Sequence, residues 1–168
     1  MPIPKKVALF LEKTKIKYKP LGHKTVYTAF DKAATLRLKP AVIAKTLIIK
    51  GDRELLIAAV PGNRNLDKNK LKKAVNVYRK KAGLKLVKNI NFISERVAKE
   101  KFKGVKPGAI PPFGAMWKLP VFVEKGLLKN PKIIINSGDY NWSIKISPTE
   151  FRKLGPDLIV GNFGKARK

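Results

Sequence analysis

The sequence predicts an α+β fold: a single domain over residues 1–168, with a curved, mostly antiparallel or mixed β-sheet, partly barrel-like, surrounded by helices. Short apolar runs rich in Val, Ile and Leu outnumber the helix-period segments and arrive mostly as hairpins, which argues against a doubly wound sheet. Apolar residues make up 44% of the 168 positions, enough to bury a core unaided. No internal repeat or linker-like stretch divides the chain.

Residues 4–15 read as a first helix, with Pro4 in its opening turn and Val7, Phe10 and Leu11 on one face. A short strand follows at 16–21. Thr28 is placed to cap a helix reaching Leu38 that would bury Phe30, Ala33, Ala34 and Leu38, with Asp31 reaching back as in a capping box. Residues 41–50 and 54–60, two β-rich apolar runs around Gly51-Asp52, form a hairpin of central strands covered on both faces. Asn65 or Asp67 caps the next helix, to about Val77, whose narrow apolar face is Leu71, Ala74, Val75 and Tyr78. A short strand is expected at 84–87, then a helix capped by Ser94 and carrying Val97, Ala98 and Phe102.

Residues 104–114 hold three glycines and three prolines in eleven positions, which excludes regular helix or strand. Val105, Ala109, Ile110 and Phe113 nevertheless make this loop apolar. A stiff apolar loop can wall a pocket and turn its backbone N–H and C=O groups inward, or it can be a rigid connector only. Strands are expected at 119–124, 132–136 and 142–146, with 137–141 as a turn. Ser147-Pro148-Thr149-Glu150 opens a helix, and a last strand at 157–160 precedes a basic tail at 164–168.

A net charge of +27 attracts polyanions through counterion release. Nucleic acid or an anionic membrane surface would satisfy it, and lysines spread over a globular pattern favour nucleic acid. Residues 68–88 carry nine basic residues and no acidic one, a face for a nucleic-acid backbone or a merely solvated one. No apolar run could span a bilayer and the N-terminus lacks the shape of a signal peptide, so a cytoplasmic protein without a membrane partner is expected. The absence of cysteine excludes disulfides, thiolate nucleophiles and cysteine–zinc sites, and a single histidine, His23, excludes two-histidine metal sites. No phosphate loop, dinucleotide fingerprint or His-Glu-x-x-His motif occurs, and carboxylates are few and scattered.

What remains is Lys45, the glycine/proline loop and small polar residues around Asn136. Lys45 interrupts an apolar strand, where its stem either snorkels to water or holds a cation at a pocket floor, facing a phosphate, carboxylate or ester oxygen. Such parts suit electrostatic positioning and binding of an oxyanion or hydroxyl by backbone, not strong acid–base catalysis.

Ala44-Lys45-Thr46-Leu47, the stretch from Ala59 to Asp67, Gly108-Ala109-Ile110-Pro111-Pro112-Phe113-Gly114, the stretch from Leu119 to Glu124 and Asn136-Ser137-Gly138 occur in the order seen in the YbaK/EbsC family. The chain thus resembles trans-editing aminoacyl-tRNA deacylases, relatives of the editing insertion domain of bacterial prolyl-tRNA synthetases. The resemblance implies hydrolysis of a misacylated aminoacyl-tRNA ester, usually on proline tRNA, with no metal, no cofactor and no protein nucleophile. It implies aminoacylated tRNA as partner, with a prolyl-tRNA synthetase as a second candidate. Lys45 matches the family's pocket lysine, and Gly108 to Pro112, including Pro111, match the Gly-x-x-x-Pro loop whose backbone positions the reacting end. Phe30, Thr46, Asn136 and Gly138 would line the aminoacyl pocket. The chain departs from cysteine-clearing members, which tend to carry Ser at Asn136 and Asp at Ser143, and Glu124 replaces a common Asp, so the amino acid cleared stays open. A non-catalytic, basic RNA-binding protein on the same fold is the alternative.

Overall fold

The structure, a computed structural model, describes residues 3–155 and 158–167. Its helices and strands follow the chain as α1 (Lys5–Lys13), β1 (Lys19–Gly22), α2 (Ala29–Leu36), β2 (Ala44–Gly51), β3 (Glu54–Pro61), β4 (Arg64–Leu66), α3 (Lys68–Lys81), β5 (Ile90–Phe92), α4 (Glu95–Lys101), β6 (Val121–Glu124), β7 (Ile133–Asp139), β8 (Trp142–Ile146), α5 (Pro148–Arg152), β9 (Leu158–Gly161) and β10 (Gly164–Ala166). Among the described residues no helix is long and apolar enough to cross a membrane.

The fold is mixed α+β. A five-stranded sheet runs β5-β2-β3-β6-β9, a three-stranded one β1-β8-β7, and β10 pairs with β4. The β2–β3 hairpin is antiparallel, but β3–β6 and β6–β9 are parallel. A parallel neighbour needs a long crossover, and residues 62–120, with α3 and α4, supply it between β3 and β6. A parallel bridge from Ile43 to Ile134 ties the start of β2 to β7.

β3 reads as a continuous apolar run because both of its faces are covered. Ile57 and Ala59 join Val121, Val123, Ile133 and Ile135 in one core, whereas Leu56, Ala58 and Val60 pack with Leu71, Val75, Phe122 and Phe163 in another. Four helix starts carry side-chain caps. Thr28 Oγ1 accepts from Asp31 N at 3.0 Å, Asp67 Oδ1 from Asn69 N at 3.0 Å, Ser94 Oγ from Val97 N at 3.2 Å and Ser147 Oγ from Glu150 N at 3.2 Å.

Several expectations are corrected. Residues 84–87 form no strand: the Asn76 amide donates to Val87 O at 3.1 Å and accepts from Val87 N at 2.8 Å, taking the place of a strand partner. Pairing resumes at β5 instead. α2 stops at Leu36, where Arg37 turns left-handed at φ 57°, and leaves Phe30, Ala34 and Leu38 exposed. Its buried residues are Lys32 and Ala33. Residues 164–166 of the expected basic tail are strand, with Lys168 outside the described residues: β10 pairs with β4, and the buried Glu124 carboxylate accepts from Phe163 N and, at 2.6 Å, from Gly164 N. The last strand starts at Leu158, with Asp157 outside the described residues. Residues 137–139 extend β7 with a bulge rather than forming a turn.

Candidate active site

The bridge between Ile43 and Ile134 sets the beginning of β2 beside the beginning of β7, and the site grows from that contact. Beyond Asn136 the register of β7 against β8 shifts, so Ser137 and Gly138 form an extra loop of strand. Gly138 has φ +99°, and its carbonyl accepts from Lys106 N at 2.8 Å. A Cβ at Gly138 would lie 2.8 Å from Val105 Cγ1, so only glycine lets the glycine/proline loop dock here. Asn136 Nδ2 makes a second tie to that loop, donating to Ile110 O at 3.2 Å.

Between α2, β2, this loop and the bulge lies a cleft of about 390 Å³. Lys45, Thr46, Phe30, Asn136 and Gly108 all line it. Of the other residues singled out from the sequence, Pro111 and Pro112 are buried within the loop and do not line the cleft, and Pro112 faces a different cleft with Gly114 and Leu119. Gly138 does not line the cleft either; it holds the loop. His23 also stays outside: its Nδ1 donates to Lys24 O at 2.8 Å, so in the neutral ring Nε2 accepts from the Ser143 hydroxyl at 2.8 Å.

The cleft contains groups that periodicity did not single out: Lys32, Tyr27, Asp139, Tyr140 and Arg167. Gly108 N donates to Tyr140 Oη at 3.3 Å, and Tyr140 meets the exposed Tyr27 edge-on at 4.9 Å between ring centroids. The Arg167 guanidinium lies 4.0 Å above the Phe30 ring. Lys45 is half-buried, and its Nζ donates to Asn65 Oδ1 at 3.4 Å. Burial, and then the positive charge of Arg167, push its pKa below the usual lysine value. Lys32 is only 9% exposed and donates to Asn136 Oδ1 at 2.8 Å; burial lowers its pKa to about 8. Thr46 Oγ1 is buried with no hydrogen-bond partner among the described residues.

A sequence signal for Lys32 existed. Ala29, Ala33 and Leu36 follow helical spacing as the inward stripe of α2, and Lys32 falls on the same side. The cleft thus offers cations, a backbone N–H and the Asn136 amide, with Asp139 as its one lining carboxylate and no histidine among the described residues. It can orient a polyanion end and stabilise oxyanions more readily than it can shuttle protons. No cluster of three or more His, Asp or Glu side chains able to hold a metal occurs among the described residues. A second groove of about 480 Å³ shares Lys45 and Leu47 with the cleft and continues along Asn65, Lys68, Phe92 and Lys165.

The profile of one family, the aminoacyl-tRNA editing domain, matches residues 23–154. No curated protein sequence matches the chain. Among solved structures, the hypothetical protein APE2540 superposes with a TM-score of 0.78 at 21% identity, over 96% of this chain and 100% of that one. A protein provisionally described as a trans-editing enzyme for prolyl-tRNA synthetase gives a TM-score of 0.76 at 22% identity, over 96% of both chains. A Marinobacter aquaeolei VT8 protein provisionally described as a signal transduction protein gives 0.67 at 14% identity, over 96% of this chain and 31% of that one. At these identities the likeness is one of fold.

Proposed function

The chain belongs to the aminoacyl-tRNA editing domain family, and we propose that it is a deacylase that hydrolyses the ester of a misacylated tRNA in trans. In this reading residues 1–168 form one editing domain, and the tRNA carries proline's anticodon and a wrong small amino acid. The reading is supported most by the convergence of Lys45, Gly108 and Asn136, far apart in sequence, on one cleft of a size that suits an aminoacyl-adenosine end.

Lys45 holds the terminal adenosine or the aminoacyl end by charge, helped by Arg167 at the same cleft. The Gly108 N–H positions the reacting end once the Tyr140 hydroxyl yields its long bond to a substrate oxygen. Water attacks the ester carbonyl, assisted by the terminal ribose hydroxyl, and the ribose oxygen leaves with a proton; amino acid and free tRNA result. Such a metal-free route suits a site without a histidine base. The net charge of +27 attracts the tRNA backbone through counterion release.

A panel of proline tRNA charged with alanine, cysteine or serine tests the proposal. Wild type should release at least one amino acid well above the spontaneous rate. Lys45→Ala should lower that rate by about 100-fold or more, since it removes a positioning charge at the reacting end. The same variant should keep tRNA affinity within about threefold, one charge among many contributing little to bulk attraction. A wild type that binds tRNA and clears none of the three makes the protein an RNA-binding module instead.

A further inference from the structure

The proposed hydrolysis gives Lys32 no role. Lys32 projects from the inward side of α2, 9% exposed, and its Nζ reaches Asn136 Oδ1 at 2.8 Å. An ammonium has three donors, and Asn136 takes one. Among the described residues no carboxylate pairs with Lys32. Asn136 itself is fixed in orientation, because its Nδ2 donates to Ile110 O at 3.2 Å while its Oδ1 faces the lysine. Thr46 lines the same cleft with a buried hydroxyl that has no partner among the described residues. Among the described residues the lining carries Lys32, Lys45 and Arg167 against one carboxylate, Asp139. A buried cation with donors to spare and a buried hydroxyl lining one cleft favour an oxygen acceptor that enters it.

We infer that Lys32 reads the side chain of the acyl group, and that the favoured substrate carries an oxygen acceptor there, a hydroxyl or a carboxylate. This rests on the editing reading and adds to it the chemistry of the amino acid cleared. An apolar side chain entering the same space would leave the ammonium and Thr46 hydroxyl unpaired, and discrimination follows from that difference.

The test uses one tRNA charged with alanine, serine or aspartate, which differ by a methyl, a hydroxymethyl and a carboxymethyl side chain. It also uses adenosine analogues carrying the same three amino acids through a stable 3′-amide, so that binding is read without turnover. Wild type should favour the serine or the aspartate ester over alanine by at least about tenfold in kcat/KM, and the amides should bind in the same order. Which of the two leads tells hydroxyl from carboxylate. Lys32→Met should collapse the preference to within about threefold. If that variant does not fold, Thr46→Val provides a second, nearly isosteric test and should reduce the serine preference. Alanine treated as well as the others, or a preference untouched by Lys32→Met, overturns the inference while leaving editing intact. Binding of the amides in the expected order with no ester cleaved by wild type removes the hydrolytic reading and keeps the recognition by Lys32.

Discussion

α2 and α3 start alike and then diverge. Each opens on a side-chain cap, Thr28 for one and Asp67 for the other, and each carries lysine. In α3 the pattern is obeyed: Leu71 and Val75 are buried, and Lys68, Lys70, Lys73, Lys80 and Lys81 are exposed. In α2 it is inverted, with Lys32 buried beside Ala33 while Phe30 stands out under the Arg167 guanidinium. The helix whose inward side seals a core follows the hydrophobic stripe. The helix that walls a cleft breaks it, and the break falls where ligand chemistry is expected.

If that contrast is right, truncating the inward residue of each helix should change stability in opposite directions. Leu71 is fully buried, so Leu71→Ala removes transfer energy and leaves a cavity, costing about 3 kcal/mol. Urea unfolding should show a lower midpoint with little change of slope. A loss under about 1 kcal/mol would mean that α3 is a loosely attached basic arm rather than part of the core.

Lys32→Met should act the other way. Burial takes the Lys32 pKa from 10.5 to about 8, a cost of about 3.5 kcal/mol at about 1.4 kcal/mol per pKa unit. Losing the bond to Asn136 offsets about 1 kcal/mol of that, which leaves the variant about 2 to 3 kcal/mol more stable at pH 7. The pH dependence has a definite sign. Below about pH 8 the lysine is charged in both states and the full cost is present in wild type. Between about 8 and 10.5 the unfolded chain keeps a proton that the folded chain has released, so wild-type stability rises with pH and the variant's advantage fades. Unfolding both proteins at pH 7 and pH 10 measures this. An advantage that does not shrink would place the origin in packing instead of charge.

The same two helices explain what the sequence could and could not reveal. Helix starts, the β2–β3 hairpin and the docking loop were legible because caps, β-rich runs and proline/glycine content act locally. Lys45 and Asn136 stood out as polar residues in or beside apolar runs, and both line the cleft. Phe30 also lines it, though as an exposed ring rather than a core one. The strands β6 and β9 were expected as apolar runs, but their parallel pairing was not legible, since nothing local tells a run which neighbour it will take. Arg167 reaches the cleft through pairing of β10 with β4 and the Glu124 anchor, contacts that cross the whole chain. Gly138 could be flagged as a pocket residue by its motif, but its positive φ and its contact with Val105 are properties of the assembled bulge.

The smallest effect should come from the outer side of α3, and it separates a working basic face from a solvated one. Lys73, Lys80 and Lys81 are exposed and contribute little to folding, so changing all three to Gln should move stability by under about 0.5 kcal/mol. Under the proposed function their effect belongs to tRNA binding. Each phosphate contact adds about 0.7 to 0.9 to the steepness with which log affinity falls against log salt, so three lost contacts should flatten that slope by about 2. Lys32→Met, whose charge is enclosed by the cleft, should leave the slope almost unchanged. The α3 N-terminus supports contact on this side, because Lys68 and Asn69 border the groove that shares Lys45 with the cleft. A triple variant with the wild-type salt slope would take α3 out of the tRNA footprint. The attraction would then have to come from lysines elsewhere, and the divergence of the two helices would concern packing alone.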